Sequence, residues 1–514
     1  MKKTLTCLTA LFLCAVLLTG CAYRRAPVAP EPAATLPPAQ SPYAAPVGDA
    51  SLAYDGLVAL ALPSVDGQRL LTRYAEASLS SGRHNAESVV RALLAFPGDE
   101  SAPPLGGQTP LALYGPRPVE TSGDVCTVNL TSTALQLSDS ALYTVSLALA
   151  ATLCALPDIH YVNLLVADRP VSMDITGTLP LGSVTARPGE ELPVLWEQME
   201  ARRTPLGENP VLTPLTSAAT LYFPLEGGAG VVPETRNLSF AGQSAQQQVL
   251  GLLAALSAGA QFARDAIAMP DLSRQMILAP EILDQEDGGR IVTLHFGASI
   301  ENVWREAGAD PVCLTAAIAM TLETFVPGVT AVRFFAGDAL ITSLRSDTHG
   351  LCVYEDGLHT RRGDATLLMK QTTLYFASGD RLTPVLRAMR PEDASSPRAL
   401  LNLLLAGPTQ READAGVEPL FPEGLSDADI LGVAIENGTL LINLSARAAA
   451  MIRDEAADWE QTLCYGVVNT LCEAKGLRRA RFFFDGQAVE TLGGTLYWSG
   501  EFLLNPAMVN KTMG

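Results

Sequence analysis

The sequence predicts an α+β protein built from three repeats of one small unit, each β-α-β-β-α-β with its helices packed on one face of a mixed sheet. Two observations carry this. Short apolar runs open near Leu57, Leu221 and Leu374, at spacings of 164 and 153 residues, too long for a solenoid repeat. Hydrophobic residues make up 48% of the 514-residue chain and charged residues 17%, enough apolar side chain for several packed cores. Boundaries fall at 54–185, 219–345 and 372–505, and three globular beads on a string are expected.

The elements follow in order. The opening strands are Leu57-Val58-Ala59-Leu60-Ala61-Leu62, Ala219-Thr220-Leu221-Tyr222-Phe223 and Thr373-Leu374-Tyr375-Phe376. A first helix follows at Ala86 to Phe96, Gln246 to Ser257 and Pro397 to Ala406. A strand pair comes next. In the third repeat it is Ile430 to Ile435 and Thr439 to Leu444, around Asn437-Gly438, a strong hairpin signal because both residues tolerate φ > 0. In the second repeat the pair is Gln275 to Leu278 and Arg290 to Phe296; in the first, Leu111 to Tyr114 and Val125 to Leu130. A second helix spans about 138–155, 310–325 and 457–475, and a last strand 160–166, 329–335 and 479–484. Those last strands end in the turn residues Ala167-Asp168, Gly337-Asp338 and Asp485-Gly486.

Residues 1–20 read as a signal peptide, with Lys2 and Lys3 before an apolar run from Leu5 to Leu18. Leu18-Thr19-Gly20-Cys21 resembles the lipobox of bacterial lipoproteins, which implies a lipidated Cys21 after cleavage before it. An ordinary secretory cleavage or an uncleaved anchor is the alternative. Residues 21–50 then form a Pro/Ala-rich tether, extended and semi-rigid. A formal charge of −19 disfavours phosphate backbones, so nucleic acid is not an expected partner.

The third repeat holds the sharpest motif. Leu404-Leu405-Ala406-Gly407-Pro408 ends a helix, Pro422-Glu423-Gly424 makes a turn, and Ile442-Asn443-Leu444-Ser445 closes the strand pair. Gly407 suits the residue after a helix, Pro408 blocks its continuation, and Ser445 can cap the next helix. Together these residues resemble the GerMN domain of GerM-like spore-germination and sporulation lipoproteins. The first two repeats depart from it: Ala95-Phe96-Pro97-Gly98 inverts Gly-Pro, and Ser257-Ala258-Gly259 lacks the Pro.

A search for chemistry returns little. His84, His160, His295, His349 and His359 form no HExxH, and the loose group His349, Cys352, His359 lacks the spacing of a zinc site. Beyond the signal and Cys21, six cysteines remain: Cys126, Cys154, Cys313, Cys352, Cys464 and Cys472. Cys464 and Cys472 lie too far apart on one helix to bridge, and buried thiols acting as small hydrophobes are expected, with bridges between elements still open. No nucleophile elbow, Walker loop or dinucleotide fingerprint occurs. The aromatic pairs Tyr222-Phe223 and Tyr375-Phe376 and the run Phe482-Phe483-Phe484 are expected in the core.

The resemblance therefore implies a membrane-anchored extracytoplasmic lipoprotein, non-enzymatic and without cofactor or metal. It would act as a scaffold or assembly factor in the cell envelope, in sporulation or spore germination. Its partners would be membrane lipid through Cys21 and envelope or sporulation-complex proteins. A peptidoglycan-binding module and an envelope hydrolase are the alternatives.

Overall fold

The computed structural model describes residues 43–49, 53–80, 82, 84–174, 177–203, 214–454, 457–494 and 496–510. The signal segment, Cys21 and the tether up to residue 42 lie outside the described residues. A short strand β1 (Gly48–Asp49) precedes the first repeat.

Repeat one opens with an antiparallel hairpin of β2 (Ala53–Pro63) and β3 (Leu70–Ser80). Helix α1 (Ala86–Ala95), strands β4 (Val119–Ser122) and β5 (Val125–Leu130), helix α2 (Asp139–Leu153), β6 (Tyr161–Val166) and the two-residue β7 (Arg169–Pro170) follow. Helix α3 (Leu192–Arg203) leads towards repeat two.

Repeat two repeats the order with β8 (Leu215–Pro224), β9 (Val231–Phe240), α4 (Ala245–Ser257), β10 (Glu281–Asp284) and β11 (Arg290–Phe296). It continues through α5 (Ile300–Glu306), α6 (Pro311–Phe325), β12 (Val329–Ala336) and β13 (Ala339–Leu340). An extra hairpin, β14 (Ser343–Ser346) with β15 (Gly350–Val353), comes next.

Repeat three has β16 (Lys370–Ser378), β17 (Arg381–Met389), α7 (Pro397–Ala406), β18 (Ile430–Glu436) and β19 (Thr439–Leu444). Helices α8 (Ala446–Arg453) and α9 (Ala457–Lys475) lead to β20 (Arg479–Phe484) and β21 (Phe502–Leu503).

All three repeats share one topology. A two-stranded hairpin stands apart from a sheet of order β4-β5-β6-β7, β10-β11-β12-β13 or β18-β19-β20-β21. In each sheet the middle pair is parallel, bridged by the second helix, and the flanking pairs are antiparallel. The sheets are therefore mixed, as expected. Each repeat also has two strands the sequence did not announce. The hairpin return strand is interrupted by charged residues, Arg73 and Glu76 in β3, and the two-residue closing strand is too short to show a period.

One contact ties hairpin to helix in every copy. A buried threonine of the second helix accepts a hydrogen bond from a backbone N–H of the opening strand. The pairs are Thr152 Oγ1 with Ala61 N at 2.9 Å, Thr321 Oγ1 with Tyr222 N at 3.0 Å and Thr470 Oγ1 with Tyr375 N at 3.0 Å. The bond satisfies a strand donor that would otherwise be orphaned in the core. The second helix thus packs on both the opening strand and the sheet: α6 touches β8 and β12, and every residue of α6 is buried. That explains its nearly continuous apolar sequence.

Three expectations are corrected. The strand predicted at Leu111–Tyr114 lies at Val119–Ser122, and Leu113 makes only a single bridge to Leu130. The one predicted at Gln275–Leu278 lies at Glu281–Asp284, with Met276 bridging Phe296. Both true strands are flanking members of their sheets, and β10 is largely exposed, so neither carries the apolar run that marks a buried strand. The beads-on-a-string arrangement is also overturned. Residues Val58 to Leu368 bury one continuous core across repeats one and two, and Leu374 to Phe502 bury a second. Residues Ala45–Gly514 form one compact unit.

Candidate functional site

The junction of the first two repeats holds a cavity of about 620 Å³. Repeat one lines it with Glu120 of β4, Thr127 and Asn129 of β5, and the β6–β7 turn at Ala167-Asp168-Arg169. Repeat two contributes Glu323 near the C-terminus of α6, Thr330 of β12 and Asp287. The loop after β15 closes it with Thr360, Arg361, Arg362 and Ala365.

Arg361 is the buried centre of this junction. Its Nη1 donates to Tyr222 Oη at 2.6 Å and Thr324 Oγ1 at 3.0 Å. Its Nη2 donates to Glu120 Oε2 at 2.6 Å and Thr127 Oγ1 at 3.3 Å. Burial works against its charge, but Tyr222 and Glu120 outweigh that and hold the guanidinium above its usual range. The backbone N–H of Arg361 donates to Glu323 Oε2 at 2.9 Å, while Glu323 Oε1 has no partner among the described residues. Burial holds the Glu323 carboxyl well above the ordinary carboxylate range, with the Arg361 N–H opposing it and Asp364 adding to it. Asp364, also buried, is pushed up to about 7 by burial alone, and its Oδ2 is unpartnered.

Polar contacts knit the same junction elsewhere. Asn163 Nδ2 of β6 donates to Thr220 Oγ1 of β8 at 3.0 Å. Arg169 holds Asp287 through Oδ2 at 2.5 Å and the backbone oxygen at 2.7 Å.

The motif residues of repeat three lie elsewhere and build the fold. Gly407 follows α7 with φ 77°, and Pro408 comes next. Gly424 has φ 96°, and its oxygen accepts from Arg447. Asn437 and Gly438, at φ 48° and 72°, form the β18–β19 turn, and Pro422 is half-buried before it. Leu444 is buried, and Ser445 caps α8 by accepting from Ala448 N. Asn443 has two partners. Its Oδ1 accepts from Gly486 N at 3.0 Å, and its Nδ2 donates to Pro46 O at 2.9 Å. The second bond fixes the segment leading into β1, which pairs in parallel with β18. The end of the segment read as an extended tether, Gly48–Asp49, is therefore a strand on repeat three. Gly432 leaves room for it, since a Cβ there would lie 2.6 Å from the oxygens of Gly48 and Pro46.

The loose His/Cys group is not brought together as a metal site. His349 Nε2 lies 2.7 Å from Gly228 O, and His359 is buried between Tyr354 and Phe334. Among the described residues no cluster of His, Cys, Asp or Glu is arranged to hold a metal ion. The six cysteines beyond Cys21 are free thiols, and burial raises those of Cys126, Cys313, Cys464 and Cys472. Cys472 is pushed up to about 12. No helix among the described residues is long and apolar enough to cross a membrane.

Sequence reasoning missed the threonine contact and the Glu323 cavity. A signal for the first was present: Thr152-Leu153, Thr321-Leu322 and Thr470-Leu471 recur near the end of each second helix. The residue after each pair is Cys154, Glu323 or Cys472.

Residues 373–490 match the family described as "Germane: Sporulation and spore germination". Among solved structures, the chain is similar to the tandem GerMN domains of the sporulation protein GerM from Bacillus subtilis, at 17% identity and a TM-score of 0.24, over 53% of this chain and 92% of that one. It is also similar to a protein described as a lipoprotein from Clostridium perfringens, at 24% identity and a TM-score of 0.19, over 26% of this chain and 87% of that one. No curated protein matches the chain. Repeat three carries a Germane domain, and repeats one and two follow the same topology.

Proposed function

We propose that this protein is a lipid-anchored, extracytoplasmic, non-enzymatic scaffold of the cell envelope that serves sporulation or spore germination. The observation that carries the reading is the Germane domain at residues 373–490, whose family is one of sporulation and spore germination. Cys21 behind an apolar signal segment supports the anchor. Acyl chains contribute about 0.8 kcal/mol per buried CH₂, so two or three hold a soluble body firmly on a bilayer. The motif residues support a structural rather than chemical role, because Gly407, Gly424, Asn437, Gly438, Asn443 and Ser445 each satisfy a turn, a cap or a buried bond. Display of repeated domains from one anchor raises avidity without tight single contacts.

The test is fractionation and crosslinking in cells. Wild-type protein is expected in the membrane fraction, crosslinked to other envelope proteins, and Cys21→Ala is expected in the soluble fraction. Membrane retention of Cys21→Ala would refute the anchor. Cleavage of purified peptidoglycan by the wild-type chain would refute the non-enzymatic reading.

A further inference from the structure

The cavity between repeats one and two is richer in arginine than the acidic molecule around it, with as many guanidiniums as carboxylates. The chain carries −19. The cavity is lined by Arg117, Arg169, Arg361 and Arg362 against Glu120, Asp168, Asp287 and Glu323. Two of these acids are committed to guanidiniums: Glu120 to Arg361 and Asp287 to Arg169, both in close pairs. Arg362 is held loosely, 3.8 Å from Asp168 Oδ2, and its side chain is 60% exposed. It is free to turn onto a ligand.

Glu323 is the feature the fold does not require. The matching positions of the other two repeats are Cys154 and Cys472, so the second helix accepts a thiol there. In repeat two the position carries an acid that is 3% exposed, and Oε1 lacks a partner. An unmet buried polar atom is costly, so the fold gains when a ligand atom meets it. Burial favours the protonated form of this carboxyl, and Oε2 already accepts the Arg361 N–H, which leaves Oε1 as the oxygen to carry a proton. Oε1–H is then a donor without an acceptor. Arg169 Nε–H, on the same lining, is a second buried donor without one.

We propose that this cavity binds a small organic monocarboxylate, with Arg362 pairing its charge and Glu323 and Arg169 donating to its oxygens. The balance of the lining selects the class. Arg117 is taken by Glu392 at 3.5 Å, Arg169 by Asp287 and Arg361 by Glu120, so Arg362 is the guanidinium left to meet one negative charge, which favours a monoanion over a phosphate dianion. Guanidinium and carboxylate match as planar, two-point partners. Tyr114, Pro116 and Leu165 supply apolar wall for an organic body, and about 620 Å³ lies within the usual range for small-molecule sites. The carboxylate could be a free metabolite or a group on a wall polymer, since the chemistry offered to the cavity is the same. This proposal is independent of the lipid anchor and of the scaffold reading.

Calorimetry on the full-length protein in detergent, with butyrate and N-acetyl-alanine as probes, tests it. Butyramide, N-acetyl-alaninamide and inorganic phosphate are the comparators. The acids are expected to bind, and the amides and phosphate to bind at least about tenfold more weakly. Arg362→Gln, at an exposed side chain, is expected to lower acid affinity about tenfold or more, whereas Arg274→Gln, far more exposed and outside the lining, leaves it unchanged. Glu323→Gln keeps a donor and is expected to bind within about twofold of wild type, while Glu323→Cys loses about fivefold. Retention on purified sacculi that Arg362→Gln abolishes assigns the carboxylate to the wall; acid binding without retention assigns it to a free metabolite. The proposal fails if neither acids nor sacculi bind in an Arg362-dependent way, or if amides or phosphate bind as tightly as the acids.

Discussion

Repeats one and two bury a single core and meet across a polar, charged junction, whereas repeat three buries its own core and keeps the family's sequence motif. The same topology has thus been used in two ways. In repeat three, Gly407, Gly424, Asn437, Gly438, Asn443 and Ser445 serve the repeat's own turns and caps, so the residues remain readable as a set. In the fused pair, the surfaces facing the partner repeat have acquired Arg361, Glu323 and Asn163, whose partners lie in the other repeat or in the closing loop. Residues that answer to a neighbour lose the pattern of a free-standing domain. The conformational demands persist all the same. Gly98, Gly259 and Gly407 each follow the first helix at positive φ, 85°, 82° and 77°, although the sequences around them differ.

The largest expected effect probes the fused junction. Arg361→Leu leaves Glu120 buried without its partner and is expected to destabilise repeats one and two by about 3–5 kcal/mol. Hydrogen exchange should show protection lost in β5, β6 and α6 but retained in β19, β20 and α9. Equal loss in repeat three would mean that the two cores unfold as one.

A second effect follows from Asp364, which also belongs to the fused half. Its carboxyl rises from 3.8 to about 7 on folding. The folded state holds the proton more tightly, so the contribution to stability is full below pH 3.8 and is lost as pH rises through about 7. The difference is on the order of 4 kcal/mol. Urea midpoints measured from pH 4.5 to 8 should fall more steeply for wild type than for Asp364→Asn. Parallel curves would show that Asp364 does not titrate in this window.

The smallest effect lies in repeat three. Asn443→Ala removes the bonds to Pro46 O and Gly486 N and is expected to cost about 1–2 kcal/mol. Exchange should quicken at residues 46–49 while the sheet stays protected. If those residues remain protected, β1 is held by its pairing with β18 rather than by Asn443.

Much of the fold was legible because its causes are local. The helices α1, α4, α7 and α9 stand within a residue or so of their predicted spans, as does the Asn437-Gly438 hairpin, because apolar period and φ preference act over a few residues. The strands β4 and β10 were misplaced because a flanking strand needs no apolar run, and the nearby apolar residues of Leu111 to Tyr114 and Gln275 to Leu278 attracted the assignment instead. Little of the cavity was legible. Glu323 reads as one more acid on a chain rich in them until its helix is seen buried on every side.

The sequence by itself determined the repeated order of helices and strands, the glycine turns and the threonines near the end of each second helix. Each depends on backbone preference or on apolar spacing within one segment. Only the tertiary structure decided that repeats one and two share a core, that Gly48–Asp49 lie on repeat three, and that Arg361 meets Glu120 from 241 residues away. Such contacts depend on which surfaces are buried against each other, and that choice leaves no period in the chain.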